Sequence, residues 1–294
     1  MPALIEDARA KVNLTLRVLG RRVDGYHDLE SVVAFADCAD RLTLKAGSDL
    51  ILTATGPRAQ ECGETADNLV IKAARLFGER VLGLKVGEFT LDKQLPVAAG
   101  IGGGSADAAA ALRLLARANT IEIDDVRVIE AARMTGADVP VCLSSRACVM
   151  TGVGETLQPL KLPGMPCLLL NPRVPVATRD VFAALGLRSG EMRIGASDVI
   201  EAPGWPEPGA SFDDWLDTLA AGTNDLEAPA MRVQPVIGEV LSALRAAAGV
   251  RLARMSGSGA TCFAIFDNDA AAQRAAQSIR LDHPLWWVHA GTLG

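Results

Sequence analysis

Apolar and polar residues alternate through 11–18 (KVNLTLRV), the period-two signature of a half-buried strand. An Asp-Gly pair at 24–25 predicts a turn. The runs LESVVAFADCADRLTLKA and LILTAT predict further strands. At TADNLVIKAARLFGERV the period lengthens: Leu69, Ala73, Leu76 and Phe77 fall on one helical face, with Asp67 the expected N-cap. Residues 84–92 return to strand spacing. Beyond a glycine-rich stretch, Ala108, Leu112 and Leu115 make the i, i+4, i+7 stripe of a buried helix. A second helix is expected over 125–134, ending before Gly136, and GADVPVCL then interrupts the pattern.

Later, 147–151 and 166–171 read as strands joined by the connector TLQPLKLPGMP. A domain boundary is expected there, dividing 1–155 from 156–294. Residues 186–212 are rich in Gly, Pro and Ser, which predicts a long surface loop or a partly disordered insertion. Asn224 or Asp225 caps a turn. Ile237, Val240, Leu241 and Leu244 form a helical stripe, RLARMSGSGATCFAIF reads strand, glycine turn, strand, and 269–280 and 285–289 read as helix and strand. Strands and helices without strict alternation predict an α+β fold rather than a doubly wound sheet.

Composition narrows the function. A chain of 294 residues, 49% hydrophobic and 22% charged, has room for about two packed domains. With seven Phe, four Trp and one Tyr, the core is mostly aliphatic. The net charge is −6 and no Lys/Arg-rich run occurs, so nucleic acid is not an expected partner. An anionic ligand would instead be held locally, by backbone N–H groups and a few cations. Six cysteines without a CxxC pair and only three histidines argue against structural zinc or a disulfide framework. Scattered thiols fit a reducing cytosol, so a cytoplasmic protein is expected. The first residues show no apolar signal segment, and no run approaches a membrane span.

The candidate chemistry centres on LPVAAGIGGGSADAAAALRLL (95–115). Glycine lets a ligand approach the backbone. Ser105 is a good N-cap, and the helix after it points its positive end at the loop. Together these predict a phosphate site; a tight strand-to-helix connection is the alternative. The loop is not of the GxxxxGK[ST] type, because no lysine follows the glycines, and GxGxxG fails at Ser105.

PVAAGIGGGSADAA resembles the ATP loop of the GHMP small-molecule kinases. AKVNLTLRVLGRRVDGYHDLESVV, TGADVPVCL, NDLE at 224–227 and MSGSGATCF at 255–263 are similar, in order, to further motifs of one branch of that family. The resemblance spans the chain except 186–212. It implies a two-domain GHMP kinase fold, with an N-terminal half like ribosomal protein S5 domain 2 and a ferredoxin-like C-terminal half. It also implies ATP with Mg²⁺ as donor, and as substrate an alcohol carrying a cytidine diphosphate group. The ATP loop would comprise Pro96, Val97, Ala98, Ala99, Gly100, Ile101, Gly102, Gly103, Gly104, Ser105 and Ala106.

By the same resemblance, Asp138 in GADVP is the catalytic carboxylate and Lys11 the cation beside it. On spacing alone, Asp138 reads equally as a cap before Pro140, and Lys11 as a solvated lysine. Asn13 shares the face of Lys11 on a strand; it hydrogen-bonds substrate or caps a turn. Tyr26 and His27 would recognise the cytosine end, with Thr178 and Phe182 on its other side. On pattern alone the first pair is a half-buried turn and Phe182 a helix-face core residue. SGSGA at 256–260 supports the ATP loop or is a plain hairpin turn. Two positions depart from the branch, which often has Gly at Ala98 and Ser at Ala106. The second departure removes a hydroxyl near the phosphates, so no metal ligand is assigned. A monomer or weak homodimer is expected, with no membrane partner. A kinase for another alcohol and a nucleotide-binding protein without catalysis are the competing functions.

Overall fold

The computed structural model describes residues 3–193, 204–207 and 209–294. In chain order its elements are β1 (Leu4–Asn13), β2 (Arg17–Arg21), β3 (His27–Gly47), β4 (Ile51–Thr55), α1 (Leu69–Gly78), β5 (Val86–Asp92), α2 (Gly103–Ala118), α3 (Val126–Thr135), α4 (Val139–Ser144), β6 (Cys148–Gly152), β7 (Thr156–Pro159), β8 (Met165–Asn171), α5 (Thr178–Leu185), α6 (Phe212–Ala221), α7 (Glu227–Val233), α8 (Val236–Ala246), β9 (Val250–Met255), β10 (Cys262–Phe266), α9 (Asp269–Asp282) and β11 (Trp287–Leu293). The mixed order is that of an α+β fold. Two compact units form, each from separate stretches of chain: Met1–Lys11, Cys38–Val97 and Gly102–Ser145 make one, and Val12–Asp37, Ala98–Ile101 and Arg146–Gly294 the other.

In the first unit, β3 pairs antiparallel with β5 from Arg41↔Asp92 to Gly47↔Val86, and β4 runs parallel to β5. Helix α2 packs against α1 and α4. Its side chains from Ala106 to Ala116 are buried except Arg113, and most are alanine. Small side chains let neighbouring helices close around α2, which holds its N-terminal turn rigidly in place.

In the second unit, the first part of β3 pairs with β2 and β6. Strands β11, β8, β10 and β9 form an antiparallel order. The stripe Ile237, Val240, Leu241 and Leu244 of α8 is buried, as the periodicity predicts, in a core with Leu168, Leu170 and Phe266.

Some local expectations shift. The strand expected over 11–18 is two strands, because the intervening N–H groups turn to other partners: Leu14 to Val32 O at 2.8 Å and Leu16 to Thr223 O at 2.8 Å. The cap of α1 is Asn68 rather than Asp67; its side chain accepts the Val70 N–H at 3.0 Å. GADVPVCL contains the short helix α4, with Pro140 in its first turn, where a missing N–H costs nothing. Part of the connector after 155 is β7, paired with β6. Of the stretch 186–212, the expectation at 194–203 and 208 lies outside the described residues.

Candidate active site

Helix α2 begins at Gly103, and its N-cap is Gly102 at φ 63°. Ser105, the expected cap, lies within the first turn instead. Gly102 is required twice over. Its φ lies in the left-handed region. A Cβ there would also stand 3.2 Å from Lys11 Cε and 3.3 Å from Lys11 Cβ. The glycine therefore lets the lysine stem lie directly against the helix start. The first N–H groups of α2 have no acceptor within the helix, and its dipole adds positive potential there. A helix start with free N–H groups and a positive dipole end is favourable ground for an anion.

Lys11 and Asp138 meet. Nζ lies 3.0 Å from Oδ2, with the lysine side chain 4% exposed and the aspartate 36%. Asp138 occupies the N-cap position of α4, yet its side chain makes no capping bond. Its carboxylate is thus committed to the lysine while still open to a small molecule. One turn on, burial pushes the Cys142 thiol up to about 12, with the Asp138 charge adding to the effect. Cys142 is therefore protonated packing, not a nucleophile.

The other part of the loop, 98–101, belongs to the second unit. Ala98, one of the two departures, takes φ 52°, a conformation glycine adopts more readily. A Cβ on Gly100 would come within 2.6 Å of Ser256 O. The Ser256 hydroxyl donates to Gly100 O at 3.0 Å and accepts the Asn13 N–H at 3.1 Å, while the Thr261 N–H donates to Ala99 O at 3.0 Å. The 256–260 turn therefore braces the loop. Asn224 in turn holds that turn, donating to Met255 O at 2.7 Å and Gly257 O at 2.9 Å. Asn13 is buried, and its amide donates to Ser31 Oγ at 2.7 Å.

His27 and Phe182 come together as a stacked pair, ring centroids 4.4 Å apart and 25° between planes. Phe182 is half-buried on α5 and packs against the hydrophobic core on one side. Tyr26 is exposed. His27 Nε2 is buried without a hydrogen-bond partner, which is uncommon for a buried polar atom. Burial, then the nearby Arg21 charge, lowers the His27 pKa, favouring neutral imidazole. Thr178 Oγ1 lies 2.9 Å from Ser258 Oγ.

One cluster escaped the sequence analysis. Lys93 Nζ lies 2.6 Å from both Asp40 Oδ2 and Asp107 Oδ2, and all three residues are buried. Lys93 and Asp107 bracket the glycine loop in sequence, a signal that could have been read; nothing local pointed to Asp40. Among the described residues no group of three His, Cys, Asp or Glu side chains is placed to hold a metal ion, and no helix is long and apolar enough to cross a membrane.

Comparison with known proteins gives the family. The family model for the GHMP kinases N terminal domain matches residues 68–146, and that for GHMP kinases C terminal matches 210–283. A 4-diphosphocytidyl-2-C-methyl-D-erythritol kinase of Nitrobacter hamburgensis is 76% identical over 290 residues, 99% of this chain and 95% of that one. One of Rhodopseudomonas palustris is 73% identical over 292 residues, with the same coverage. A crystal structure of 4-(cytidine 5'-diphospho)-2C-methyl-D-erythritol kinase superposes with a TM-score of 0.77 at 35% identity, covering 99% of each chain. Motifs, fold and full-length identity converge: the chain belongs to the 4-diphosphocytidyl-2-C-methyl-D-erythritol kinase branch of the GHMP kinase family.

Proposed function

We propose that this protein transfers the γ-phosphoryl group of ATP to the 2-hydroxyl of 4-diphosphocytidyl-2-C-methyl-D-erythritol, giving the 2-phosphate and ADP, in the non-mevalonate pathway of isoprenoid biosynthesis. The observation that carries the reading is the Lys11–Asp138 pair at 3.0 Å, with the Lys11 stem against the start of the glycine-loop helix. Asp138 accepts the proton of the attacking hydroxyl as the new P–O bond forms and the bond to ADP breaks. Such general-base help contributes about 10²–10⁴-fold. In a loose phosphoryl transfer the proton moves late, so holding the hydroxyl in line matters as much as basicity. Lys11 fixes the carboxylate and offsets charge on the moving group.

Residues 96–106 bind the ATP phosphates through backbone N–H groups. Mg²⁺ bound with the nucleotide would offset the phosphate charge, and Ser105, the one side-chain oxygen in the loop, would be the residue placed to help hold it. Tyr26 and His27 bind the cytosine end, with Thr178 and Phe182 beside them; the unpartnered His27 Nε2 supports this assignment. Asn13 orients the substrate alcohol.

The division of labour follows the family halves: residues 1–155 carry the ATP loop and catalytic pair, and 156–294 form the C-terminal domain. The matches at 68–146 and 210–283 support it. The protein works in the cytoplasm as a monomer or weak homodimer, without nucleic acid or membrane partners; its acidic charge of −6 favours this.

The test is ATP consumption against a panel of alcohols, with and without a cytidine diphosphate group. Turnover confined to the cytidine-bearing alcohol is expected. Equal turnover of mevalonate or homoserine would overturn the reading.

A further inference from the structure

We propose that Lys93 is a positioning residue for phosphoryl transfer: its buried ammonium fastens both ends of the glycine loop to one point through Asp40 and Asp107. The inference rests on the reading of 96–106 as the ATP loop. At the near end, Asp40 Oδ1 accepts the N–H groups of Gln94 at 2.6 Å and Leu95 at 2.8 Å, while its Oδ2 takes the ammonium. At the far end, Asp107 on α2 takes the same ammonium through Oδ2. Lys93 Nζ also lies 3.4 Å from where a Cβ on Gly103 would stand. The strut therefore sits directly under the first turn of α2.

Stability alone does not explain this cluster. One ammonium facing two buried carboxylates leaves an excess negative charge, and Asp107 Oδ1 has no hydrogen-bond partner. Buried ion clusters contribute little net stability compared with apolar packing, and an uncompensated charge costs. The cluster does supply geometry. Tying the ends of a glycine-rich segment removes loop conformations that ATP binding would otherwise have to freeze.

Asp107 also makes the strut sensitive to pH. Burial pushes its carboxyl up to about 7; Lys93 opposes the shift and Asp40 adds to it. Lys93 and Asp40 are the charged groups in contact with it, and the Cys62 and Cys142 thiols also feel its charge. Below about pH 7 the carboxyl is protonated and one of the two ionic holds on Lys93 weakens.

The experiment is steady-state kinetics of the full chain and of Asp107→Asn, varying ATP and the cytidine-bearing alcohol separately from about pH 6 to about pH 8.5. Asp107→Asn should raise the KM for ATP about tenfold or more, leaving the KM for the alcohol within about twofold. In the unmodified protein the KM for ATP should fall as pH rises through about 7. In the variant that inflection should be absent. The terminal phosphate of ATP titrates identically with both proteins, so their difference is the quantity read. A variant with an unaltered ATP KM and an unaltered pH profile would overturn the strut. If the variant fails to fold, an ATP KM that stays flat with pH in the unmodified protein overturns it equally. Calorimetric titration with ATP separates the two readings. No ATP binding by the unmodified protein refutes the loop assignment and the strut with it. Normal binding with an unchanged KM in the variant refutes only the strut.

Discussion

Lys11 Nζ stands 3.0 Å from Asp138 Oδ2, a nearly buried cation against a carboxylate one-third open to solvent. The asymmetry suits a reaction: the lysine is held still while one side of the carboxylate stays reachable. Replacing Asp138 with asparagine keeps the shape and removes the proposed proton acceptor. Turnover should fall by about 10²–10⁴-fold while ATP affinity is retained. Because Asp138 makes no capping bond, any loss of melting temperature should come from the charge removed beside Lys11 and not from α4. A variant that retains full activity would remove Asp138 from the mechanism; an unfolded one would make it structural.

Gly102→Ala tests the same pair from the loop side. The new methyl would lie 3.2 Å from Lys11 Cε, and the left-handed φ adds about 1–2 kcal/mol of strain. The Lys11 stem is then displaced by a few tenths of an ångström beside Asp138, and kcat should drop about tenfold. Gly104→Ala is the stability control, since its Cβ meets only Leu69 Cδ1, at 3.6 Å. Comparable melting losses in both variants would contradict the account.

The His27–Phe182 stack predicts a binding effect without a chemical one. Phe182→Ala should raise the KM for the cytidine substrate and leave the KM for ATP alone. His27 is shifted downward by burial, so it stays neutral until pH falls below the usual histidine range. Its contribution to stability is present above the unfolded pKa and is lost as pH falls through the lower folded value. The KM for the cytidine substrate should rise over that same acidic window, and His27→Gln should abolish the change. A KM for that substrate unaffected by either variant would remove both rings from the site.

Asp107 predicts the opposite sign. Its folded pKa is raised from 3.8 to about 7, so the folded state prefers the protonated acid and stability falls as pH rises through that interval. Asp107→Asn should therefore melt a few degrees higher than the unmodified protein at about pH 8, and the gain should vanish below about pH 4. A melting temperature lowered equally at both pH values would show that the carboxylate stabilises the fold.

Much of this architecture was legible in one dimension. The stripe on α8 and the alanine-rich face of α2 need only residues a few positions apart. The glycine crowd at 100–104 announced a loop-to-helix junction for the same reason. Errors came where two neighbours compete for one local role. Asn68 outcompeted Asp67 as a cap because its side chain reaches the Val70 N–H. Gly102 replaced Ser105 because the helix starts earlier, at a left-handed turn against Lys11.

Periodicity and spacing were enough for element types and for a glycine loop leading into a helix, since hydrophobic faces and backbone freedom are properties of short segments. They were silent on Asp40, which reaches Lys93 from another strand, and on Ser256, which reaches Asn13 and Gly100 from far along the chain. They also could not decide whether Asp138 capped a helix or faced Lys11. Packing decided these points: a charge settles on the partner that the converging backbones place within a few ångströms, and chain distance does not encode that.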